Sequence, residues 1–331
     1  MRAAVIAAPG SVKIIDVPEP EVTGDSVLVR VAYVGLCGTD LELLHGTSPY
    51  LLDGRARYPH SFGHEWVGLV ETVGSEVDDI AVGEVVTGST MLYCQHCEQC
   101  RAGRRNLCGR LREVGLYGHP GAAAELLAVP RRAVASFGRC TPTPAHVLVE
   151  PMVTVLEAFD AAPVRPGDRV LVVGAGTIGS LAVAVLAGSN ATVDIVDPKP
   201  LTHLDPGCYR QRHSAFPSVT GTYDLVVEAS GAPGALGGAV TALRPGGTCL
   251  LVGVATAPET IDPATIALSG IRITGVRHGV DHYGRAVAMF GAPTATFEAL
   301  IEGVVPLDSA DAAFAILEHT RTRPKVVISL A

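Results

Sequence analysis

Four cysteines form the densest group of potential metal ligands in the chain, in the pattern Cys94-x2-Cys97-x2-Cys100-x7-Cys108. Four thiolates at this spacing can enclose one ion as a tetrahedron, the arrangement of a structural zinc site. An iron–sulfur cluster is the alternative, but its usual run has three residues before the last cysteine and a proline after it. Here Gly109 follows a gap of seven residues, so the spacing favours a structural zinc in a lobe of about residues 92–110.

A second group of potential ligands is spread along the chain: Cys37 in the segment Gly-Leu-Cys-Gly-Thr-Asp, His64 and Glu65 after a glycine, and Glu150 before a proline. Taken singly, a cysteine is most often a small buried residue, and a carboxylate is most often exposed. Together, a thiolate, an imidazole and a carboxylate make the ligand set of a catalytic zinc with an open fourth position. We therefore treat Cys37, His64 and Glu65 as candidate ligands, and Glu150 as a candidate third ligand.

A glycine-rich turn lies near the middle of the chain, where an aliphatic run leads into Gly-Ala-Gly-Thr-Ile-Gly and an alanine-rich helical pattern follows. Gly174 allows the tight turn, Gly176 lets the backbone approach a pyrophosphate, and Gly179 allows helix and strand to pack closely. The phosphates would lie at the helix N-terminus, beside Thr177 and Ile178. A strand, these glycines and a helix in this order predict a dinucleotide-binding loop.

The next predicted strand, residues 191–196, ends at Asp197, close to the spacing at which an acidic residue binds the ribose of adenosine. A carboxylate would repel a 2′-phosphate, so Asp197 favours NAD. The following residues, Pro198 and Lys199, leave NADP possible. We therefore expect the protein to bind a nicotinamide dinucleotide.

The candidate site residues lie in two parts of the chain with different sequence patterns. Up to about residue 86, short predicted strands alternate with proline and glycine turns, which is typical of a β-rich, barrel-like domain. From residue 151 onward β and α segments alternate, which predicts a doubly wound parallel sheet. Residues 198–219 contain several prolines and no clear helical period, so we expect a short or irregular connection there.

The composition limits the class of protein. The chain has 331 residues, of which 48% are hydrophobic and 18% charged, with a net charge of −8. These values are typical of folded domains, and the acidic balance argues against nucleic-acid binding. We find no signal peptide or membrane segment, so eight cysteines favour metal or catalytic use in a reducing compartment. We expect a soluble, cytoplasmic protein.

These motifs, in this order, resemble the zinc-containing medium-chain alcohol dehydrogenases over nearly the whole chain. The resemblance implies an α/β protein with a GroES-like catalytic domain (residues 1–150 and 284–331) and a Rossmann NAD(P)-binding domain (residues 151–283). It further implies two zinc ions per chain, one catalytic and one structural, and a homodimer or homotetramer.

By the same resemblance, Cys37, His64 and Glu150 hold the catalytic zinc, and Glu65 lies close enough to exchange with water or with Glu150 as a ligand. The zinc would acidify a bound alcohol, Thr39 would pass on its proton, and hydride would go to the nicotinamide. The implied activity is the reversible oxidation of a secondary alcohol.

The details resemble the polyol and sugar dehydrogenases, because the third ligand is Glu150 and not a cysteine. The segment Cys-Gly-Thr-Asp-x-Glu that ends at Glu42 and the Asp-His-Tyr around His282 point the same way. If the substrate is a polyol, sugar or cyclitol, Glu42, Glu113 and His282 are candidates to bond its hydroxyls. Glu42 also stands where the family often has a proton-relay histidine, and Lys325 stands where it often has a basic residue near the cofactor's phosphates.

Two other functions stay open at the level of sequence. One is a dehydrogenase of simple alcohols or of amino alcohols of the threonine type. The other is a non-catalytic nucleotide-binding sensor that has kept zinc for stability, although such a sensor would have no need of the Thr39 hydroxyl. A zinc ribbon that binds nucleic acid is disfavoured by the net charge.

Overall fold

The computed structural model describes residues 1–216, 221–255, 257–291 and 295–330. The backbone divides into two compact units: unit 1 is Met1–Glu150 with Val280–Ala331, and unit 2 is Pro151–Gly279. The return to unit 1 thus comes four residues before the expected boundary at residue 284, at a 3₁₀ turn that leads into a helix.

The strands in chain order are β1 (Arg2–Ala8), β2 (Ser11–Asp16), β3 (Ser26–Gly35), β4 (His60–Ser61), β5 (Glu65–Val73), β6 (Val85–Gly88), β7 (Met91–Leu92), β8 (Arg112–Val114), β9 (Gly118–His119), β10 (Leu126–Pro130), β11 (Val134–Gly138), β12 (Arg169–Val173), β13 (Thr192–Val196), β14 (Gln211–His213), β15 (Tyr223–Glu228), β16 (Leu243–Leu251), β17 (Arg272–Gly275), β18 (Ile301–Pro306) and β19 (Lys325–Ser329).

The α-helices are α1 (Gly38–His45), α2 (Pro49–Leu52), α3 (Glu98–Arg101), α4 (Val149–Ala161), α5 (Thr177–Leu186), α6 (Ala235–Ala242), α7 (Pro263–Ser269), α8 (Tyr283–Phe290), α9 (Ala295–Glu298) and α10 (Ala310–Ala315). Short 3₁₀ turns span Arg105–Leu107, Arg131–Ala133, Pro144–Leu148, Pro206–Cys208, Val280–His282 and Leu307–Ser309, and a π-helical turn spans Ile316–Thr320.

Strand β3 is the centre of unit 1. All of its residues are buried or half-buried except Arg30, because other strands and core side chains cover both faces. The main sheet has the order β11-β6-β5-β3-β19-β18, and β10 also pairs with β3. The late strand β19 is antiparallel to β3, with Val327 opposite Gly35. Residues from far along the chain therefore lie beside the end of β3, directly before Cys37.

Unit 2 contains a six-stranded parallel sheet in the order β14-β13-β12-β15-β16-β17. Counted from β12, this is the order 3-2-1-4-5-6 of the dinucleotide-binding doubly wound fold. The predicted α/β fold class is confirmed for both halves, since unit 1 is β-rich with short helices.

The connection from β13 to β14 is irregular, as its prolines suggested. It holds only the 3₁₀ turn Pro206–Cys208 where an α-helix is usual, followed by the three-residue strand β14. The side chains of Leu201, His203 and Leu204 are buried and fill the space under the connection. The last part of the segment, residues 217–220, lies outside the described residues.

None of the helices in the described parts of the chain is long and apolar enough to cross a membrane.

Candidate active site

Cys37 is placed by the junction between β3 and α1. It is the N-cap of α1, and its backbone N–H donates to Asp40 Oδ2 at 2.9 Å. The Thr39 hydroxyl lies 3.9 Å from the Cys37 sulfur. The sequence Cys-Gly-Thr-Asp thus starts a helix and holds a thiol and a hydroxyl side by side.

His64 and Glu65 reach the same place from the start of β5. Gly63 precedes them with φ of +94°, and a Cβ there would come within 2.8 Å of Val34, so the turn requires glycine. The ligand atoms of Cys37, His64 and Glu65 all lie within 4.8 Å of one another. The structure therefore brings together three of the four candidate ligands, and their thiolate, imidazole and carboxylate suit a zinc ion.

Asp40 stands behind His64 and was not among the predicted site residues. Its carboxylate is fully buried and lies 3.6 Å from His64 Nδ1, which leaves Nε2 for a metal. Burial lowers the pKa of His64, but Asp40 and Cys37 raise it, and the pKa lies well above its usual value. A carboxylate in this position orients a histidine ligand and strengthens it.

Glu150 lies in the first turn of α4, outside the three-residue group. The Thr90 hydroxyl is 2.9 Å from Glu150 Oε1 and 3.2 Å from the carbonyl oxygen of His64. Burial, reinforced by the nearby charge of Glu65, raises the pKa of Glu150 to about 7 despite the opposing effect of His64. Thr90 thus ties the fourth candidate ligand to the backbone of the second, a role that no sequence motif indicated.

Tyr283 lies next to Thr90 and Glu150. Its hydroxyl lies 3.4 Å from the backbone nitrogen of Thr90, and burial together with the charge of Glu150 raises its pKa well above the usual value. A neutral phenol therefore stands near Glu150.

Lys325 lies close to the same group of candidate ligands. Its side chain is 1% exposed, and its ammonium group donates to both oxygens of Glu65 and to the carbonyl oxygen of Leu36. The three donors of the ammonium group are thus directed at oxygen atoms of unit 1. The pairing of β19 with β3 puts Lys325 beside the candidate metal ligands, and the cofactor contact expected for it stays a prediction.

The four cysteines of the lobe converge as their spacing predicted. All four sulfurs lie within 4.8 Å of one another, with Cys97 and Cys108 at 3.8 Å and Cys94 and Cys100 at 4.0 Å. Sulfurs about 2.3 Å from a tetrahedral zinc are about 3.8 Å apart. Backbone N–H groups of Cys94, Cys97 and Arg110 point at the sulfurs, which favours thiolates. The lobe fits a structural zinc.

The glycine loop of unit 2 has the geometry that a pyrophosphate needs. Gly174 has φ of +87°, and a Cβ on Gly179 would stand 1.8 Å from the carbonyl oxygen of Gly174. A Cβ on Gly176 would meet no protein atom within 4 Å. Gly176 is the N-cap of α5 without a side-chain cap bond, so the first N–H groups at Thr177 and Ile178 remain for a phosphate.

Asp197 is attached to this loop. Its Oδ2 accepts the backbone N–H of Ala175 at 2.7 Å, and its Oδ1 accepts that of Lys199 at 2.7 Å. Each carboxylate oxygen has a second lone pair, so the residue can still accept a ribose hydroxyl. The acid that sequence spacing indicated thus stands next to the phosphate-binding turn.

The three candidate substrate residues are less exposed than ordinary surface charges. Glu42 is half-buried on α1, and burial raises its pKa. Glu113 on β8 is buried and accepts the Tyr117 hydroxyl at 2.9 Å, and buried His282 lies 3.4 Å from Arg285. All three belong to unit 1.

Comparisons with known proteins agree with this geometry. A family model described as the alcohol dehydrogenase GroES-like domain matches residues 23–139, and one described as the glucose dehydrogenase C-terminus matches residues 143–330. L-threonine 3-dehydrogenase of Solibacter usitatus is 30% identical over 294 residues, which is 82% of this chain and 80% of that protein. Sorbitol dehydrogenase of Bacillus subtilis is 28% identical over 306 residues, 87% of this chain and 85% of that protein.

Among solved structures, an alcohol dehydrogenase from Thermus sp. ATN1 is 27% identical and superposes with a TM-score of 0.86, covering 99% of each chain. The resemblance read from the motifs is confirmed by matches that extend from the β-rich half through the doubly wound sheet. This chain belongs to the zinc-dependent medium-chain alcohol dehydrogenase family and is an NAD(P)-dependent oxidoreductase of alcohols.

Proposed function

We propose that the protein oxidises one secondary hydroxyl of a polyhydroxylated substrate, a polyol, sugar or cyclitol, with NAD as the hydride acceptor. The observation that carries the proposal is the group formed by half-buried Cys37 with buried His64 and Glu65, with a Thr39 hydroxyl beside the sulfur. Such a set is richer in carboxylate than a purely structural zinc site requires.

The residues of unit 1 have separate tasks in this reaction. Cys37, His64 and a carboxylate from Glu150 or Glu65 would hold zinc, which when bound supplies a Lewis acid that lowers the pKa of a substrate hydroxyl. The buried carboxylate of Asp40, 3.6 Å from His64 Nδ1, would attract the ring when His64 is a ligand and so favour coordination through Nε2. The Thr39 hydroxyl accepts the substrate proton and donates its own onward.

Glu42 is the next group that we assign to the proton path. It lies three residues after Thr39 on α1, so the two side chains share one face of the helix. Its carboxylate is half-buried, and burial raises its pKa, which makes it a better proton acceptor than an exposed glutamate. Before it accepts the proton, the same carboxylate can bond a second hydroxyl of the bound substrate.

Two further features support a polyhydroxylated substrate. Glu113 and His282, the other two candidates to bond substrate hydroxyls, are buried polar side chains of unit 1. The relative from Bacillus subtilis is a sorbitol dehydrogenase. The relative from Solibacter usitatus acts on L-threonine, so an amino alcohol is the second candidate substrate class. In unit 2, Asp197 beside the glycine loop favours NAD over NADP because it would repel a 2′-phosphate.

The test is turnover of polyols, hexoses, cyclitols, L-threonine and simple secondary alcohols, with NAD beside NADP, and a zinc count on the same sample. We expect two zinc ions per chain and NAD reduction with one polyhydroxylated class. Cys37→Ser should lose turnover and one zinc, whereas the control Cys140→Ser, at an exposed cysteine of the same unit, should change neither. Full turnover by Cys37→Ser would refute the mechanism, and turnover of L-threonine alone would refute the substrate class.

The homo-oligomer and the cytoplasmic location expected from the sequence belong to the same proposal. Light scattering of the purified protein distinguishes a dimer or tetramer from a monomer.

A further inference from the structure

The carbonyl oxygen of Ala175, inside the glycine loop of unit 2, is contacted by two side chains from different parts of the chain. The hydroxyl of Ser180, in the first turn of α5, donates to this oxygen at 3.0 Å. His203 Nε2 lies 3.2 Å from the same oxygen and 3.1 Å from Ser180 Oγ. A carbonyl oxygen has two lone pairs, so it can accept both the hydroxyl and the histidine tautomer that carries its proton on Nε2.

These contacts are buried. Ala175, Ser180 and His203 are 4%, 0% and 9% exposed, so water has little access to the carbonyl oxygen. On the other side of the same residue, the N–H of Ala175 donates to Asp197 Oδ2 at 2.7 Å. Side chains therefore hold both peptide groups that meet at Ala175.

His203 belongs to the irregular connection between β13 and β14, which holds a 3₁₀ turn where an α-helix is usual. Leu201 and Leu204 are buried on either side of it in the sequence, at 8% and 7% exposure, and anchor this part of the connection. The short connection thus brings an imidazole to the glycine loop, a contact that the glycine motif does not encode.

The carbonyl of Ala175 and the N–H of Gly176 belong to one peptide group. A trans peptide group is planar, so its C=O and N–H point in opposite directions. Because the carbonyl points at Ser180 and His203, the N–H of Gly176 points away from them. Gly176 itself is exposed, and a Cβ on it would meet no protein atom within 4 Å, so open space adjoins this residue.

We propose that His203 is a positioning residue for the dinucleotide: together with Ser180 it holds the Ala175 carbonyl and thereby directs the Gly176 N–H at the pyrophosphate. The inference rests on the dinucleotide site of the proposed function and adds to it a residue from outside the glycine motif. A peptide plane that is fixed before binding lowers the ordering cost when the N–H groups of the loop converge on a phosphate.

The experiment measures the affinity of the full chain for NADH by fluorescence titration. The wild-type protein is measured first, because absence of binding would refute the dinucleotide site itself and not only the role of His203. His203→Leu, which fills the space but removes the donor, should raise the NADH dissociation constant about three- to tenfold, the effect of one lost hydrogen bond. His203→Gln, whose amide nitrogen can replace Nε2, should bind NADH as the wild type does.

Two further readouts separate positioning from a general structural role. ADP-ribose, which contains the pyrophosphate, should lose as much affinity in His203→Leu as NADH does, whereas adenosine, measured by competition, should lose none. Turnover at saturating NAD should stay at the wild-type kcat, because the cofactor is bound in the same way once the site is filled.

Val240→Ala is the control for stability, since Val240 is buried in the hydrophobic core of unit 2 and lies on α6, outside the glycine loop. It should lower the melting temperature without changing the affinity for NADH. Wild-type affinity in His203→Leu, or an equal loss for adenosine, would overturn the proposal. If His203→Leu does not fold, His203→Asn replaces it, because its shorter amide does not reach the carbonyl, and NADH affinity equal to that of His203→Gln would then overturn the proposal.

Discussion

The glycine loop of unit 2 allows a pair of substitutions with opposite effects. A Cβ on Gly179 would stand 1.8 Å from the carbonyl oxygen of Gly174, whereas real Cβ atoms keep at least 3.0 Å. Gly179→Ala therefore has to push α5 and the turn after β12 apart by about 1.2 Å. A Cβ on Gly176 meets no protein atom within 4 Å, and its φ of −68° suits alanine.

The magnitudes follow from these distances. Overpacking against backbone costs about 3 kcal/mol, the upper end of the usual range. Alanine gains about 1 kcal/mol over glycine inside a helix, so the net loss for Gly179→Ala is about 2 kcal/mol. We expect the melting temperature of unit 2 to fall by roughly 5–10 °C. Gly176→Ala should leave the free energy of unfolding unchanged to within about 1 kcal/mol, the usual cost of alanine at an N-cap.

Dinucleotide binding should separate the two variants again. The new methyl of Gly176→Ala would occupy the space in which a pyrophosphate approaches the backbone, so the NADH dissociation constant should rise at least about tenfold, or about 1.4 kcal/mol. Calorimetry without cofactor and NADH fluorescence titration measure both quantities on the same samples. Wild-type affinity in Gly176→Ala would show that the pyrophosphate does not lie at this turn. Wild-type stability in Gly179→Ala would show that helix and strand are not packed as described.

Three further outcomes are expected. Cys100→Ser, or removal of all zinc, should expose the lobe of residues 92–110 to proteases while NADH binding by unit 2 persists. Loss of NADH binding in the same sample would contradict this expectation. Thr90→Val should weaken retention of the catalytic metal about tenfold, with Thr90→Ser as the control that keeps the hydroxyl, since the bond to Glu150 is lost only in the first. Burial lowers the pKa of His146, which stacks on a phenylalanine, so the unfolded chain takes up the proton first and the protein should lose stability as pH falls below about 6.5. His146→Asn should flatten the melting temperature between pH 6.5 and 5, and an unchanged slope would assign the acid sensitivity to other groups.

Sequence reasoning predicted which residues lie together where those residues are close neighbours along the chain. The cysteines of the lobe and the glycines of the loop lie within a few residues of one another, so their spacing fixes their geometry with little freedom. Asp197 was expected beside the loop because one helix and one strand separate the two along the chain, and the structure places it there.

The candidate metal centre was only partly predictable, because the residues that contact its ligands are placed by the register of paired strands. Lys325 meets Glu65 across 260 residues, through the pairing of β19 with β3 and of β3 with β5. Four of the five residues of β19 are buried, so no alternation in the sequence reveals which side chain faces the metal. Thr90 and Tyr283 lie in segments without a motif, and only the three-dimensional contacts identify them.

The insertion of β19 beside β3 also has a consequence for the order of synthesis. Lys325 follows Leu36 by 289 residues, which a ribosome needs about 15 to 60 s to translate. Unit 2 is contiguous and can fold within that time, whereas the end of β3 keeps an unpaired edge until β19 emerges. Nascent chains therefore carry an incomplete catalytic site with an unpaired strand edge, to which chaperones can bind and at which aggregation can begin.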